Sequence, residues 1–190
     1  MINFYKKALI ISPHSDDEIF TLPFIYSDFN KFKELDLLLI ENDPIRNREA
    51  FLSAKINSFN LIVMPKEYNL KSLYFHKKVD LLINYFLDIW DDYDLILAPL
   101  LEGGHQDHDT VCAAILYCKE LSEGFTKLIL YPTYRNYRKI PWLYQCGISS
   151  QLFSDNLLLV NIPKNIIYLL LKTILFCYRS QYKSWLMLLP

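Results

Sequence analysis

Five short apolar runs recur along this chain at 8–12 (ALIIS), 36–41 (DLLLIE), 61–64 (LIVM), 94–99 (DLILAP) and 127–131 (KLILY), and most are followed by a stretch with helical spacing. A strand that is apolar on both faces must be covered on both faces. Parallel neighbours also need a crossover between them, so such strands alternating with helices build a mostly parallel sheet between two helical layers. Helices are expected over 16–27, 46–58, 70–90, 107–121 and 163–179, with 132–150 irregular and a sixth strand over 156–161. The chain has 190 residues, of which 52% are hydrophobic and 22% charged, enough to bury one full core. The expectation is a single α/β domain over 1–190, a Rossmann-like, doubly wound three-layer sandwich. A strand order of 3-2-1-4-5 would set the first and fourth strands side by side at the switch point.

In sheets of this kind ligands bind beyond the carboxyl ends of the strands. Two imidazole–carboxylate clusters fall there. His14-Ser15-Asp16-Asp17-Glu18 follows the first strand, and His105-Gln106-Asp107-His108-Asp109 follows the fourth. A catalytic zinc takes three protein ligands and keeps a fourth position open, and His and Asp are suitable donors. Hydrolysis needs in addition a carboxylate to take a proton and a group to stabilise the oxyanion or protonate the leaving amine. His105 and His108, three apart, share a face on a helical turn. Taken alone, Asp-Asp-Glu at a helix start is usually a capping and dipole device. The second cluster beyond a neighbouring strand shifts the reading to a metal site. Asp107 either orients an imidazole from behind or caps the helix that follows.

These residues resemble the LmbE-like, or PIG-L, N-acetylglucosaminyl deacetylases. That family carries HPDDE after a strand and a later HPDH; this chain has HSDDE at 14–18 and HQDH at 105–108. Two weaker echoes follow the same order. Arg46-Asn47-Arg48-Glu49-Ala50 matches the family's R-x-x-E-A, and Lys172 with Tyr178-Arg179-Ser180-Gln181 matches its closing K…(H/Y)-R-S-Q. The resemblance implies that His14, Asp17 and His108 hold zinc, or another divalent ion. Asp16 would be the general base on the activated water, and His105 the group at the oxyanion or departing amine. Arg46 would contact substrate, with Asp107 behind the ligands. The implied reaction is hydrolysis of an acetamide on an amino sugar or its conjugate.

Departures from the family pattern bear on substrate more than on chemistry. Ser15 and Gln106 replace the two prolines, which supply no ligand atom. Ile19-Phe20-Thr21-Leu22-Pro23 stands where relatives run through glycines, and 65–68 lacks an Asp-Gly pair. An alternative is a degenerate relative that keeps the metal and acts as a binding or assembly partner. A nucleotide-binding enzyme is disfavoured, because no GxGxxG follows the first strand and no P-loop occurs.

The remaining features narrow the setting. The net charge of −1 gives no reason to expect nucleic acid or an anionic membrane. Arg135, Arg138 and Lys139 read as a solvated loop. Four cysteines without a CxxC pair read as reduced, mostly buried thiols of a cytoplasmic protein. No signal peptide is apparent at the N-terminus. The 166–177 run falls short of the roughly 20 residues of a membrane span. It is apolar almost all round, so it reads as either a covered core helix or a homo-oligomer surface. His76 is expected to be exposed and inert, and Trp90, Trp142 and Trp185 to be core or rim aromatics.

Overall fold

The computed structural model describes residues 3–27, 30–136, 144–146 and 164–188. Five parallel strands form one sheet: β1 (Asn3–Ser12), β2 (Asn30–Leu39), β3 (Asn60–Val63), β4 (Leu95–Pro99) and β5 (Lys127–Tyr131). Their order is β3-β2-β1-β4-β5, the doubly wound order expected. β1 and β2 begin earlier than their apolar runs and pair in register from Asn3↔Asn30 to Ser12↔Leu39. The added halves, Asn3–Lys7 and Asn30–Leu35, are richer in polar residues and more exposed than the apolar runs that follow them.

Period-two alternation sorts the apolar strand residues between two layers. Ala8, Ile10, Leu37, Leu95 and Leu97 face one side, under α1 (Leu22–Ile25), α2 (Pro44–Asn57) and α5 (Lys164–Cys177). Leu9, Ile11, Leu38, Ile96 and Ala98 face the other, under α3 (Val79–Ile89) and α4 (Gln106–Leu121). The result is the three-layer α/β sandwich expected from the sequence.

Several elements differ from their sequence reading. Residues 16–27 form a 3-10 turn (Asp17–Thr21) and then the single turn of α1. Here side chains compete with the helix for backbone groups. Asp17 reaches back to the His14 N–H (2.8 Å), and Thr21 Oγ1 donates to the Glu18 carbonyl (2.6 Å). The helix expected over 70–90 starts only at Val79. Asn69 and Leu73 adopt left-handed φ values of 47° and 67°, and the Asp107 carboxylate accepts the Leu73 and Phe75 N–H groups. The stretch over 132–150 holds a short antiparallel pair, β6 (Tyr134–Asn136) with β7 (Tyr144–Cys146). After α5 a second helix, α6 (Tyr182–Leu188), was not foreseen. The strand expected at 156–161, Tyr137, Trp142, Arg138 and Lys139 lie outside the described residues. Trp90, Cys112, Cys118 and Cys177 are buried and His76 is exposed, as expected. No helix among the described residues is long and apolar enough to cross a membrane.

The two weaker sequence echoes meet in space. Ser180 donates from its N–H and its hydroxyl to the two oxygens of Glu49 (2.8 and 2.7 Å). Tyr178 and Ser53 both donate to Glu18 Oε1, the latter at 2.6 Å. The chain's closing segment is thereby stapled to α2 and to the first motif. Burial pushes the Glu18 carboxyl up to about 7 against these two donors, so it depends on them to remain in place. Tyr178→Phe should cost about 1–3 kcal/mol in urea unfolding, because it strips a donor from a fully buried carboxyl. Tyr182→Phe, altering a half-exposed ring, should cost under about 1 kcal/mol. Equal midpoints for Y178F and the parent protein would show that this contact does not hold the C-terminal segment.

Candidate metal centre

The first motif is shaped by the end of β1. Pro13 stops the strand, and Ser12 Oγ donates to the His14 carbonyl (2.5 Å). The N–H groups of Asp16 and Asp17 both turn back to that carbonyl. This tight turn brings Asp17 Oδ2 onto the His14 N–H, fixing the carboxylate beside its own imidazole neighbour. The second motif is shaped by the start of α4. The loop after β4 needs Gly103 at φ +68°, and Asp109 Oδ1 accepts the Glu102 and Gly103 N–H groups. His105 caps the helix, its Nδ1 accepting the Asp107 N–H at 3.2 Å. The first turn of α4 then directs Asp107 and His108 inward. Since β1 and β4 pair directly, the motifs face each other across the strand ends.

Three atoms converge there. His108 Nε2 lies 3.1 Å from Asp17 Oδ2 and 3.2 Å from His14 Nδ1, and His14 Nδ1 lies 3.4 Å from Asp17 Oδ2. Ligands bound at zinc distances in a tetrahedron are separated by about 3.3 Å, so this triangle has the size of one tetrahedral face. A second grouping, His14, His105 and His108, brings its ligand atoms only within 4.8 Å of one another. The tighter triangle is the better fit to a small dication. All three of its side chains are buried.

The far nitrogen of each imidazole is also held. His14 Nε2 contacts Asp107 Oδ2 at 3.1 Å, and His108 Nδ1 contacts Thr133 Oγ1 at 3.0 Å. Such partners fix ring orientation and tautomer behind a metal site. Asp107 therefore stands behind His14 rather than behind His105, whose Nδ1 is 4.0 Å away. The electrostatics call for positive charge at the centre. Burial would push the His14 imidazole down, but Asp107, Asp17 and Glu41 outweigh it and raise it to about 10. Burial likewise opposes ionisation of Asp17, yet the two imidazoles hold its carboxyl far below the usual range.

The other expected residues line the rim. The Asp16 side chain is 16% exposed, and burial together with the Asp17 charge pushes its carboxyl up to about 7. Arg46 sits at the start of α2, where Asp43 caps the helix by accepting the Ile45 and Arg46 N–H groups and Pro44 opens the first turn. Its Nε contacts Glu41 Oε2 at 3.1 Å, and its guanidinium reaches to 4.0 Å from Asp16 Oδ1. The His105 ring packs edge-on against His14 (4.7 Å between centroids), and burial with the neighbouring imidazoles pushes it down to about 4. It is a neutral imidazole at pH 7. With Nδ1 accepting a backbone hydrogen bond, its proton belongs on Nε2.

Sequence reasoning missed Thr133, Glu41 and Ser72. Ser72 Oγ lies 3.4 Å from both His14 Nε2 and Asp107 Oδ2. A carboxylate closing an apolar strand was a usable signal for Glu41. Thr133 and Ser72 sit in connecting segments with no local signature.

No family model matches this chain, and no curated protein matches its sequence. Solved structures do share its fold. The N,N'-diacetylchitobiose deacetylase of Pyrococcus horikoshii aligns over 94% of this chain and 71% of its own, at 15% identity and a TM-score of 0.59. A triple mutant of the deacetylase Orf2*, from the teicoplanin biosynthetic pathway, aligns over 96% and 84%, at 15% identity and 0.61. GalB, the 4-carboxy-2-hydroxymuconate hydratase of Pseudomonas putida KT2440, aligns over 96% and 82%, at 14% identity and 0.52. These likenesses establish a common fold, one that carries both deacetylation and hydration.

Proposed function

We propose that this chain is a zinc-dependent amide hydrolase that removes the acetyl group from an N-acetylated amino sugar or its conjugate. The observation that carries the reading is the triangle of His14 Nδ1, Asp17 Oδ2 and His108 Nε2, with edges of 3.1–3.4 Å. A zinc ion held there would supply an activated water and polarise the amide carbonyl. Asp16, whose carboxyl burial and the Asp17 charge push up to about 7, accepts the proton of the attacking water and passes it to the nitrogen as the C–N bond breaks, releasing acetate and the free amine. His105 donates its Nε2–H to the oxyanion as the carbonyl carbon becomes tetrahedral. Its low proton affinity suits this hydrogen-bonding role better than permanent charge. Arg46, steadied by Glu41, offers a guanidinium at the rim for sugar hydroxyls or an attached anionic group.

The hydratase neighbour shows that fold alone does not choose the reaction. Deacetylation is favoured by the HSDDE and HQDH pair and by the two deacetylases that share the fold. The test is zinc content by mass spectrometry on protein purified without a chelating tag, alongside acetate release from a panel of N-acetyl amino sugars. About one zinc per chain and acetate release from at least one member are expected. Bound zinc with no acetate from any member would replace the deacetylase reading with a metal-holding, non-catalytic role.

A further inference from the structure

The two helical layers of the sandwich expose different charge, one of them cations alone. On α2, α5 and the segment through α6, the exposed ionisable side chains are Arg48, Lys55, Lys164, Lys172, Arg179 and Lys183. The one carboxylate on these elements, Glu49, is buried and taken by Ser180. No acidic residue follows Asp155 in the sequence. Among the described residues none of the six cations forms an ion pair. On the opposite layer Asp80, Asp88, Asp91, Asp92, Glu120 and Glu123 are exposed together with Lys71, Lys77 and Lys78, so that layer carries both signs. The net charge of −1 is a sum over the whole chain and so conceals the cationic face.

The cationic layer also exposes a run of apolar side chains. On α5, Tyr168 is 71% exposed, Phe176 60% and Leu175 56%, and Ile167 and Leu171 stand beside them. The inward stripe of the same helix, Ile166, Thr173 and Cys177, is buried against the domain. Phe51 and Leu52 of α2 add to the exposed surface on this layer. Monomeric proteins rarely leave so much contiguous apolar surface without a partner. A symmetric pairing of two such faces would set cation against cation. Aromatic and aliphatic side chains ringed by lysine and arginine match the boundary of a bilayer, where acyl chains lie below anionic headgroups. At 14 residues α5 is about 21 Å long, too short to span the roughly 30 Å hydrocarbon core, so it would lie in the plane of the surface.

We infer that the α2–α5 face docks this protein peripherally on an anionic lipid bilayer. The α3–α4 layer, which exposes charges of both signs, faces away from the lipid. The metal centre, at the strand ends between the layers, takes no part in this contact.

Flotation of the full chain with phosphatidylcholine vesicles, with and without about 30 mol% phosphatidylglycerol, tests the inference. The protein should float with the anionic vesicles and stay behind with the neutral ones, and high salt should weaken binding. Leu175→Asp with Phe176→Asp should lower partitioning roughly hundredfold. Lys172→Glu with Lys183→Glu should lower it by roughly tenfold or more. These positions are exposed, and an unchanged melting curve would confirm that each variant is folded. Three results would overturn the inference: no flotation with anionic vesicles, equal flotation of folded L175D/F176D, or a solution dimer of the parent protein that this variant abolishes.

Discussion

Asp17→Ala is expected to empty the centre. Zinc content should fall from about one equivalent to below a tenth, and acetamide hydrolysis by at least about 10⁴-fold. Asp17 supplies the sole carboxylate corner of the ligand triangle, and the same oxygen accepts the His14 N–H that closes the first motif. Its loss leaves two buried imidazoles without the charge that balances a dication. His108→Ala should do the same from the other motif. Asp107→Asn, which keeps the triangle and weakens only the hold on His14, should cost about 10–100-fold in metal affinity. His105→Ala separates the two groupings of possible ligands. It should keep the zinc and lose rate, because His105 lies off the triangle. Loss of zinc in H105A together with its retention in D17A would hand the site to the three imidazoles and overturn the assignment made here. Circular dichroism on each apoprotein distinguishes a lost ligand from a lost fold.

The sheet was legible because its strands are apolar on both faces, and only one architecture covers such strands on both sides. Its order was that of a doubly wound sheet, in which the two motifs meet beyond neighbouring strand ends. What sequence could not convey lies in side chains that override local propensity. Asp17 and Thr21 take up backbone groups and shorten the helix expected over 16–27. Asp107, remote in sequence, draws the N–H groups of Leu73 and Phe75 and unwinds the start of the helix expected at 70. The proposed ligand residues stand out because imidazole and carboxylate cluster within five positions. Their supports, Thr133 and Ser72, carry no such mark, since a single hydroxyl in a loop is common and acquires its role only through the fold. The cationic face over α2 and α5 was hidden for a related reason: a sum over residues has no direction.

Asp16→Asn should separate binding from chemistry. Asp16 contributes no atom to the ligand triangle, and its amide analogue keeps the shape while losing the capacity to accept a proton. Zinc content and KM are expected to hold while kcat falls about 10²–10⁴-fold. The pH profile gives the same assignment a second reading. Burial and the neighbouring Asp17 carboxylate raise the affinity of Asp16 for its proton. Acidification therefore protonates it and switches off the base, so kcat/KM of the parent protein should fall on the acid side. A bound dication favours the ionised form and draws that limb to lower pH. In D16N the limb due to this carboxylate should vanish from the residual activity. Full activity in the variant would remove Asp16 from the mechanism. Lost zinc would instead make Asp16 a ligand, and the base would then have to be sought at Glu41, the other carboxylate in contact with Arg46.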